Sequence, residues 1–241
     1  MARIAVLIPT YNERDNISLL IDEVFKNLSY EDYDSHIIVI DDSSPDGTGY
    51  LVKNIAEVND HVHLISRAGK YGLGSAYMDG LRWSCSNLSP DIFIQMDADF
   101  SHPPYHLPNL VRGILEGYDV IIGSRYVEGG GSTSWSWHRK LISKVANLMV
   151  RLILRIKEKD ATSGFRALSK KAVNSLLNFT LSSKGYSYQI ESLFLYSKLG
   201  LSIKEVPILF LGRKKGRTKL SISDIMSFVY LLIRLKAIRF R

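Results

Sequence analysis

The triplet Asp97-Ala98-Asp99 is the part of the sequence that most directly indicates chemistry. Its two carboxylates stand one residue apart, directly after the apolar segment Ile92–Met96, which predicts a buried strand. Both side chains could therefore bind one hard cation, Mg²⁺ or Mn²⁺, which would also bind diphosphate oxygens. An acidic turn facing solvent is the alternative interpretation of the triplet alone. We favour the metal site because an apolar strand leads directly into the two acids and into Ser101–Pro104.

A second polar cluster, Asp41–Thr48, also follows an apolar segment that predicts a strand. Its first residues resemble an EF-hand calcium loop, but Lys53 stands where that loop needs a bidentate glutamate, so we predict no calcium site. A Ser-Pro-Asp-Gly turn accounts for Pro45 and Gly47 but leaves Asp42 without a role. We therefore favour a turn that also offers an acceptor to a ribose or a base.

Motifs of several other enzyme classes are absent from the sequence. The stretch Gly69–Ser75 fits neither the phosphate-binding loop of P-loop proteins nor the G-x-G-x-x-G fingerprint of dinucleotide-binding proteins. Neither the H-E-x-x-H zinc motif nor the G-x-S-x-G motif of serine hydrolases occurs. The histidines show no paired ligand spacing, which predicts surface or structural roles for most of them: His36, His61, His63, His102, His106 and His138.

Five basic residues are concentrated between Arg213 and Lys219, where Gly216 adds flexibility. A solvated charged turn is the usual interpretation of such a run. Here the run follows the apolar segment Val206–Leu211, which predicts a strand of the main sheet. The basic loop could therefore fold over an anionic ligand and donate charge-assisted hydrogen bonds to its phosphates.

Apolar and amphipathic segments alternate over the first half of the chain. Strands are predicted at Ile4–Ile8, Ile37–Ile40, Val62–Ile65, Ile92–Met96 and Asp119–Gly123. Helical spacing of apolar residues predicts helices at Asn16–Leu28, Thr48–Val58, Gly74–Ser86 and Tyr105–Glu116. This alternation predicts an α/β fold with a mostly parallel central sheet and helices on both faces. Polar clusters follow three of the strands, at the edge where open α/β sheets bind ligands.

The second half of the chain is less regular. Glu128–Trp137 is rich in glycine, serine and tryptophan, which predicts a mobile loop. Two helices and a strand are predicted after it, at Leu141–Ile156, Gly185–Leu199 and Glu205–Leu211. No internal repeat, low-complexity tract or linker interrupts the 241 residues, which predicts a single domain.

The formal net charge of +7 is concentrated at the C-terminus. Residues 211–241 contain nine basic residues and one acidic residue, so residues 1–210 carry a net charge of −1. This distribution argues against a nucleic-acid-binding protein. Ile222–Arg241 has the apolar spacing of an amphipathic helix, with cations near its end. We recognise no signal peptide and no spanning segment, and the single cysteine, Cys85, fits a reducing compartment.

Together these residues resemble glycosyltransferase family 2 and, within it, the polyprenyl-phosphate (dolichyl-phosphate) mannosyltransferases in their compact form without transmembrane helices. The matching segments run in family order along almost the whole chain: Ile8–Glu13, Asp41–Asp46, Met96–Asp99 with Ser101–Pro103, Ile122–Tyr126, Arg139–Ser143, Thr162–Arg166, Lys184–Tyr186, Gln189–Glu191, Glu205–Pro207 and Lys219–Leu220. The first three are general to the wider family, and the later ones are more specific to the polyprenyl-phosphate enzymes.

The resemblance implies a GT-A fold, with GDP-mannose as donor, a divalent cation (Mg²⁺ or Mn²⁺) and a polyprenyl or dolichyl phosphate as acceptor. It implies a nucleotide-sugar-binding part over 1–125, an acceptor-side part over 126–220 and an amphipathic basic helix over 221–241. The nucleoside pocket that it implies is lined by Pro9, Tyr11, Glu13, Ile40 and Asp42.

Further site residues follow from the same resemblance. It places Asp97-Ala98-Asp99 at the metal, the diphosphate and the donor sugar. The residues that it implies for phosphate contacts and catalysis are Asp99, Arg125, Arg213 and Lys219. It places Arg139 and Ser143 toward the acceptor. Ser101 stands where some archaeal relatives carry glutamine, a departure that leaves its place as a third metal ligand open.

The implied reaction needs no dedicated general base, because an acceptor phosphate with a second pKa of ~6 is largely dianionic at neutral pH. The enzyme must position the phosphate and neutralise charge on the departing GDP. Direct displacement would invert the α-linked donor to a β-mannosyl phosphate lipid. The nearest alternative is a polyprenyl-phosphate glucosyl- or other glycosyltransferase that uses a UDP-sugar. A non-catalytic, membrane-associated binding subunit is an alternative of a different class.

A lipid acceptor presents its phosphate at a membrane surface. We therefore predict peripheral binding to the cytoplasmic face of a membrane through Glu128–Lys144 and the basic C-terminal helix. A membrane-anchoring partner protein is a further candidate partner.

Overall fold

A computed structural model describes most of the chain. The described residues are 1–29, 33–133, 135–181, 183, 185, 187–212 and 222–237. Arg213 and Lys219, two of the predicted site residues, lie outside these ranges.

The described residues form nine strands: β1 (Arg3–Thr10), β2 (Asp34–Asp41), β3 (Val62–Ser66), β4 (Ile92–Gln95), β5 (Val120–Ser124), β6 (Gly131–Ser132), β7 (Arg166–Ser169), β8 (Ile203–Pro207) and β9 (Leu209–Phe210). Seven of them form one sheet in the order β3-β2-β1-β4-β7-β5-β8. Strands β3, β2, β1 and β4 pair in parallel, as do β5 and β8, whereas β7 runs antiparallel to both of its neighbours. The mostly parallel sheet that the sequence predicts is confirmed.

Eight α-helices surround this sheet within the described part of the chain: α1 (Arg14–Leu28), α2 (Thr48–Ala56), α3 (Leu73–Asn87), α4 (Leu107–Leu115), α5 (Trp137–Leu154), α6 (Lys170–Leu177), α7 (Tyr188–Lys198) and α8 (Ile222–Ala237). A short 3-10 turn, Pro104–His106, precedes α4. Helices α1, α2 and α4 cover one face of the sheet, and α3 and α5–α8 cover the other.

Alternate residues of each strand build two separate cores, one on each face of the sheet. On β1, Ala5 and Leu7 pack against α3, whereas Ile4, Val6 and Ile8 pack with α1 and α4. Strands that bury both faces in this way read as continuous apolar runs, which is why the sequence identifies them. The two cores hold the carboxyl ends of β1, β2 and β4 in fixed positions.

Strand β7 is one of three elements that the sequence did not predict, together with β6 and α6. It has only four residues, and it begins with Arg166, which is fully buried although it is charged. The Arg166 guanidinium donates hydrogen bonds to the Ser192 hydroxyl at 3.0 Å and to the Ala161 carbonyl at 2.9 Å. These bonds offset part of the cost of burying the charge. Because both partners lie outside the strand, no local pattern of residues indicates it.

Two predictions for the second half of the chain are wrong in detail. Glu128–Trp137, predicted as a mobile loop, contains β6, which pairs with β9 in a separate two-stranded sheet. The predicted strand Glu205–Leu211 is divided, because β8 joins the main sheet and β9 does not. The backbone N–H of Gly131 donates to the carbonyl of Ile208 at 2.9 Å and anchors this small sheet.

Helix α8 confirms the predicted C-terminal helix over the length that is described. Leu231, Leu232 and Leu235 pack into the core on the α3 side of the sheet. Arg234 on α8 forms an ion pair with Glu191 on α7, at 2.7 Å. Within the described residues, no helix combines the length and the apolar character that crossing a membrane requires.

Candidate active site

The predicted site residues of the first half of the chain meet at one edge of the sheet. Strands β2, β1 and β4 lie side by side and parallel, so their carboxyl ends face the same way. The register pairs Pro9 with Ile40, and Asp97-Ala98-Asp99 follows β4 at the same edge. Tyr11 and Glu13 follow β1. Ile40 is fully buried in the core, so its side chain packs inside the protein.

Asp41 links the turns that follow β1 and β2. Its carboxylate accepts hydrogen bonds from the Thr10 hydroxyl at 3.0 Å and from the Ser44 N–H at 3.0 Å. Ser44 in turn accepts a hydrogen bond from the N–H of Asn12, at 3.0 Å. A Cβ atom at Gly49 would lie only 2.9 Å from Asp41, so the glycine leaves room for this carboxylate. Asp41 therefore orients the backbone that carries the neighbouring site residues.

The sequence indicated no role for Asp42 other than contact with a ligand. In the structure, Asp42 has a partner inside the protein. Its carboxylate forms a 2.7 Å ion pair with Arg67, and both side chains are buried. Burial raises the pKa of Asp42, and the charge of Arg67 opposes that shift. Arg67 also donates to the Ser75 hydroxyl and lies 3.2 Å from the Asp79 carboxylate. Arg67 was not among the predicted site residues, although a basic residue directly after β3 stands at this edge of the sheet.

Aromatic rings and cations form the outer wall beside this ion pair. The Lys70 ammonium lies 4.2 Å from the centre of the Tyr11 ring, and Arg67 lies 5.2 Å from that of Tyr71. Tyr11 and Tyr71 are both exposed. The predicted nucleoside residue Tyr11 therefore stands opposite a cation, Lys70, that the sequence analysis did not select.

Glu13 lies where the turn after β1 enters α1. Its side chain accepts a hydrogen bond from the Asn16 amide at 2.8 Å, and its N–H donates to the Thr48 hydroxyl at 3.0 Å. Thr48 begins α2, so Glu13 joins the starts of two helices beside the turn that carries Asp42.

The backbone around Asp97-Ala98-Asp99 turns sharply. Phe100 has a positive φ of 60°, and the N–H of Ser101 donates back to the Asp99 carboxylate at 3.0 Å. The N–H of Asp97 donates to Nδ1 of His102, also at 3.0 Å. Asp97 keeps 26% of its side chain exposed, whereas Asp99 is buried. The turn that carries the two predicted carboxylates is thus held by hydrogen bonds from its backbone N–H groups at the end of β4.

His102 supports this turn from inside the protein. Because its Nδ1 accepts the Asp97 N–H, the ring carries its proton on Nε2. Burial lowers the pKa of His102, although Asp97 and Asp99 oppose that shift. The 4.0 Å approach of His102 to the Asp97 carboxylate is therefore not an ion pair. The ring stacks on Phe165, with centroids 5.0 Å apart.

The oxygen atoms at this turn suit a hard divalent cation. Carboxylates and hydroxyls are the ligands that Mg²⁺ and Mn²⁺ prefer. The Ser101 hydroxyl, whose place as a third ligand the resemblance left open, is buried and has no hydrogen-bond partner in the described structure. A Cβ atom at Gly164 would lie 3.8 Å from Asp97 and 3.3 Å from the Gln189 amide nitrogen, so glycine keeps this space empty. The residues present therefore fit the predicted cation.

Gln189 is a polar residue at this space that the sequence analysis did not select as a site residue. It lies on α7 and is buried, yet neither atom of its amide has a hydrogen-bond partner among the described residues. A buried amide without partners costs free energy unless a ligand or water satisfies it. Its position beside Gly164 makes it a candidate contact for a bound ligand.

Arg125, predicted to contact a phosphate, is held by a buried ion pair. Its Nε and Nη2 donate to the two oxygens of Asp160 at 2.7 and 2.6 Å, and Nη2 also donates to Thr162 at 2.8 Å. Burial alone would lower the pKa of Arg125, but Asp160 raises it above the ordinary value. The N–H of Asp160 donates to Glu205 on β8, at 2.9 Å. Asp160 was not among the predicted site residues, because it lies 35 residues from its partner.

The predicted acceptor residues lie together on α5. Ser143 accepts a hydrogen bond from the Tyr126 hydroxyl, at 2.6 Å. The Arg139 guanidinium lies 4.4 Å from the centre of the Trp135 ring, and Arg125 lies 4.9 Å from the centre of the same ring. One aromatic ring thus connects Arg139 to the phosphate-contact candidate Arg125. Helix α5 begins four residues before its predicted start at Leu141 because Ser136 caps the N–H of Arg139.

One side of α5 is apolar and faces solvent. Its exposed residues are Trp137, Leu141, Ile142, Val145, Leu148 and Leu152. Four of them recur at the spacing that defines one face of a helix, while Val150 and Leu154 pack into the core. Lys140 and Lys144 add positive charge to this solvent-facing side. We call this set of six exposed residues the α5 face.

Comparison with known proteins agrees with the geometry. The sequence profile of the family described as Glycosyl transferase family 2 matches residues 5–177. The polyprenol monophosphomannose synthase of Mycolicibacterium smegmatis is 39% identical over 229 residues, which cover 95% of this chain and 84% of that protein. The undecaprenyl-phosphate mannosyltransferase of Micrococcus luteus is 37% identical over 219 residues, which cover 91% of this chain and 88% of that protein.

Solved structures share the fold. One is the glucosyl-3-phosphoglycerate synthase from Mycobacterium tuberculosis in complex with Mn²⁺, UDP and phosphoglyceric acid, with a TM-score of 0.67 at 21% identity, covering 99% of this chain and 80% of that chain. Another is the mannosyl-3-phosphoglycerate synthase from Rubrobacter xylanophilus, with a TM-score of 0.68 at 19% identity, covering 98% and 73%. These likenesses confirm the predicted GT-A fold. The sheet edge that carries Asp97 and Asp99, the profile match and the identity over nearly the whole chain lead to one assignment: the chain belongs to glycosyltransferase family 2.

Proposed function

We propose that this enzyme transfers mannose from GDP-mannose to a polyprenyl (dolichyl) phosphate and forms polyprenyl-phosphate β-D-mannose. The observation that carries the proposal is the 39% identity, over 95% of the chain, to a polyprenol monophosphomannose synthase. The two acidic residues at the end of β4 and the apolar α5 face supply, on one molecule, the polar and the lipid-facing surfaces that such a reaction needs.

The nucleoside would bind between the turns that follow β1, β2 and β3. Tyr11 offers an exposed ring for a base, and Lys70 lies 4.2 Å from it, within reach of a diphosphate. Asp42 would accept hydrogen bonds from the ribose or the base, in an orientation fixed by Arg67. Pro9 and Glu13 would complete the wall of the pocket, and Ile40, whose side chain is buried in the core, would contribute its backbone.

Asp97 and Asp99 would hold Mg²⁺ or Mn²⁺, with the Ser101 hydroxyl as a third oxygen. Such a cation would supply positive charge that offsets the charge developing on the departing diphosphate. Ala98 and Gln189 would lie toward the donor sugar, because Gln189 shares with Asp97 the space beside Gly164. The buried amide would then obtain its hydrogen-bond partners from sugar hydroxyls.

The acceptor phosphate would approach from the side of α5. Its second pKa of ~6 leaves it largely dianionic at neutral pH, so it can attack the anomeric carbon without a general base. Arg139 and Ser143 would orient this phosphate, and Arg125, Arg213 and Lys219 would offset the charge on either phosphate group. Arg213 and Lys219 lie outside the described residues. A single displacement would invert the configuration of the anomeric carbon.

The lipid chain requires the enzyme to meet a membrane surface, which we propose is the cytoplasmic face. The α5 face would enter the headgroup region, and Lys140 and Lys144 would contact anionic lipid. Helix α8, with Lys236 in its last turn, would add positive charge to the same interaction, whereas Arg234 in that turn is paired with Glu191. A membrane-anchoring partner protein would strengthen the attachment.

A transfer assay tests this function. The protein is incubated with polyprenyl phosphate in detergent, Mg²⁺ or Mn²⁺, and labelled GDP-mannose or UDP-glucose, and the lipid is extracted into organic solvent. We expect label in the lipid from GDP-mannose alone, as a product cleaved by β- but not α-mannosidase. Transfer only from the UDP-sugar would establish the alternative glycosyltransferase. Tight lipid binding without transfer from any donor would establish a non-catalytic binding subunit.

A further inference from the structure

Three ligating side chains meet at the opposite, amino-terminal edge of the sheet. Asp34 and His36 lie two residues apart at the start of β2, so their side chains share one face of the strand. His61 directly precedes β3, and its carbonyl accepts the N–H of Ile37 at 2.8 Å, which places it beside His36. This edge lies about 23 Å along β2 from the edge that carries Asp41.

We infer that Asp34, His36 and His61 bind a divalent metal ion of the class that accepts imidazole ligands, such as Zn²⁺. One ligand atom from each residue lies within 4.8 Å of those of the other two. Nε2 of His36 is 3.1 Å and Nδ1 of His61 is 3.6 Å from the same oxygen of Asp34. Two ligands of a tetrahedral zinc ion lie about 3.3 Å apart, so both imidazole nitrogens already stand near ligand spacing from that oxygen. The two rings are stacked, with centroids 4.6 Å apart and planes 25° apart, so they would have to rotate to aim at one ion.

The surrounding hydrogen bonds orient these ligands as outer residues do in metal sites. Nδ1 of His36 lies 3.0 Å from Nε2 of His63. If Nδ1 donates this bond, the lone pair of His36 Nε2 points toward Asp34. The His63 ring in turn packs on Trp83, with centroids 4.9 Å apart.

Asp34 is held from its other side by Arg3. Nε of Arg3 donates to Oδ2 of Asp34 at 2.5 Å, which leaves Oδ1 facing the histidines. The Arg3 charge opposes a cation, but its Nη1 is engaged by the Leu88 carbonyl at 2.7 Å, away from the ligand oxygen. Binding through Nδ1 of His61 would also replace its 3.2 Å contact with the Ser35 carbonyl. These two costs predict moderate rather than extreme affinity.

The ligand set selects the class of metal. Two imidazoles and one carboxylate suit Zn²⁺, Cu²⁺ or Ni²⁺, whereas Mg²⁺ and Mn²⁺ prefer the oxygens of Asp97 and Asp99. The His61 side chain is 51% exposed, so solvent reaches the site and water can complete the coordination. The bound ion would tie β2 to β3, which is the edge strand of the sheet. This site therefore stabilises the fold and is independent of the proposed transfer reaction.

Calorimetric titration with Zn²⁺ tests the inference on chelator-treated full-length protein. The Asp99→Asn variant serves as the parent, so that the opposite edge does not contribute. We expect one equivalent of Zn²⁺ to bind the parent and to raise its melting temperature. His61→Ala should lose both effects, and its half-exposed position makes it a mild substitution for the fold. His63→Phe should weaken binding about 10- to 100-fold, because only an outer hydrogen bond is removed.

The matched control is His138→Ala, which removes an exposed histidine outside the cluster and should bind Zn²⁺ like the parent. Co²⁺ should give a visible ligand-field spectrum in the parent and not in His61→Ala. Equal Zn²⁺ affinity of the parent and His61→Ala would overturn the inference. The absence of saturable binding by the parent would overturn it as well.

Discussion

The two halves of the central sheet position their charged residues by different means. In the parallel half, β3-β2-β1-β4, the acids stand at strand ends and contact residues of the same turn or of the adjacent strand end. Asp41 accepts a hydrogen bond from Ser44 in its own turn, and Asp42 pairs with Arg67, directly after the neighbouring strand β3. In the half that contains β7, β5 and β8, Arg125 depends on Asp160, which is 35 residues away. The first arrangement follows from the strand pattern, whereas the second requires distant segments to meet.

This difference predicts whether a substitution in each half changes mainly the chemistry or mainly the stability of the protein. A side chain at a parallel strand end is placed by backbone geometry, so replacing its charged group should change chemistry more than stability. A buried pair such as Arg125 and Asp160 is itself part of the interior, so breaking it should change stability first. Four groups of substitutions, in decreasing order of expected effect, test this contrast.

The largest effect is expected for Asp99→Asn in the parallel half. It removes one of the two charges proposed to hold the cation, and we expect turnover to fall at least about 10³-fold, or about 4 kcal/mol of transition-state stabilisation. Urea unfolding should change little, because the amide oxygen can still accept the Ser101 N–H. The transfer assay and unfolding are measured on the same preparations.

Glu57→Gln is the matched control, because it removes an exposed acid at the end of α2. It should leave turnover unchanged. Near-normal turnover in Asp99→Asn would contradict the metal assignment.

The second effect compares one buried ion pair from each half. Asp160→Asn should lower the free energy of unfolding by about 3 kcal/mol, because it leaves the Arg125 charge buried without its partner. Asp42→Asn should cost only about 1 kcal/mol, since Arg67 keeps Asp79 and Ser75 as partners. Urea denaturation of the two variants measures the difference. Equal losses would remove the contrast between the halves.

The sequence predicted the parallel half and its acids because both follow from local patterns. Apolar runs identify β1, β2 and β4, and an acid directly after such a run must lie at the sheet edge, as Asp97 and Asp99 do. The same reasoning finds Asp42 but not its partner Arg67, since the pairing depends on the register of β2 and β3.

The other half could not be predicted to the same extent. Strand β7 and Asp160 depend on contacts between distant segments that no spacing in the sequence reports. The cluster of Asp34, His36 and His61 was not predicted for the same reason, because two of its residues come from one strand and the third precedes another. Linear motifs detect ligands on a single element, and these ligands are shared between two.

The third effect tests whether the helix layers pack equally tightly on both halves. A Cβ atom at Gly80 would lie 2.5 Å from Leu7, and one at Gly113 would lie 2.4 Å from Ile121. Gly80→Ala and Gly113→Ala should therefore each cost about 2 kcal/mol in the free energy of unfolding, because the strand side chains must move.

Gly69→Ala is the control for these two variants, since its Cβ would meet no atom closer than 3.7 Å. It should change stability by less than about 0.5 kcal/mol. The close approaches at the two glycines are similar, so the two variants should lose similar free energies of unfolding. A large loss for only one of them would show that the helices pack unequally on the two halves.

The smallest effect concerns the surface that only the second half carries. Leu148→Gln on the α5 face should reduce binding to anionic vesicles about fivefold, or about 1 kcal/mol, because this half-exposed side chain would lose its burial in lipid. Leu19→Gln on α1 changes a leucine of similar exposure in the parallel half and should bind vesicles like the unmodified chain. Flotation of both variants at one lipid concentration measures the difference. Leu148 is exposed and contributes little to the core, so its replacement should leave the fold intact. An equal loss of vesicle binding in both variants would mean that the binding is non-specific and that α5 does not face the membrane.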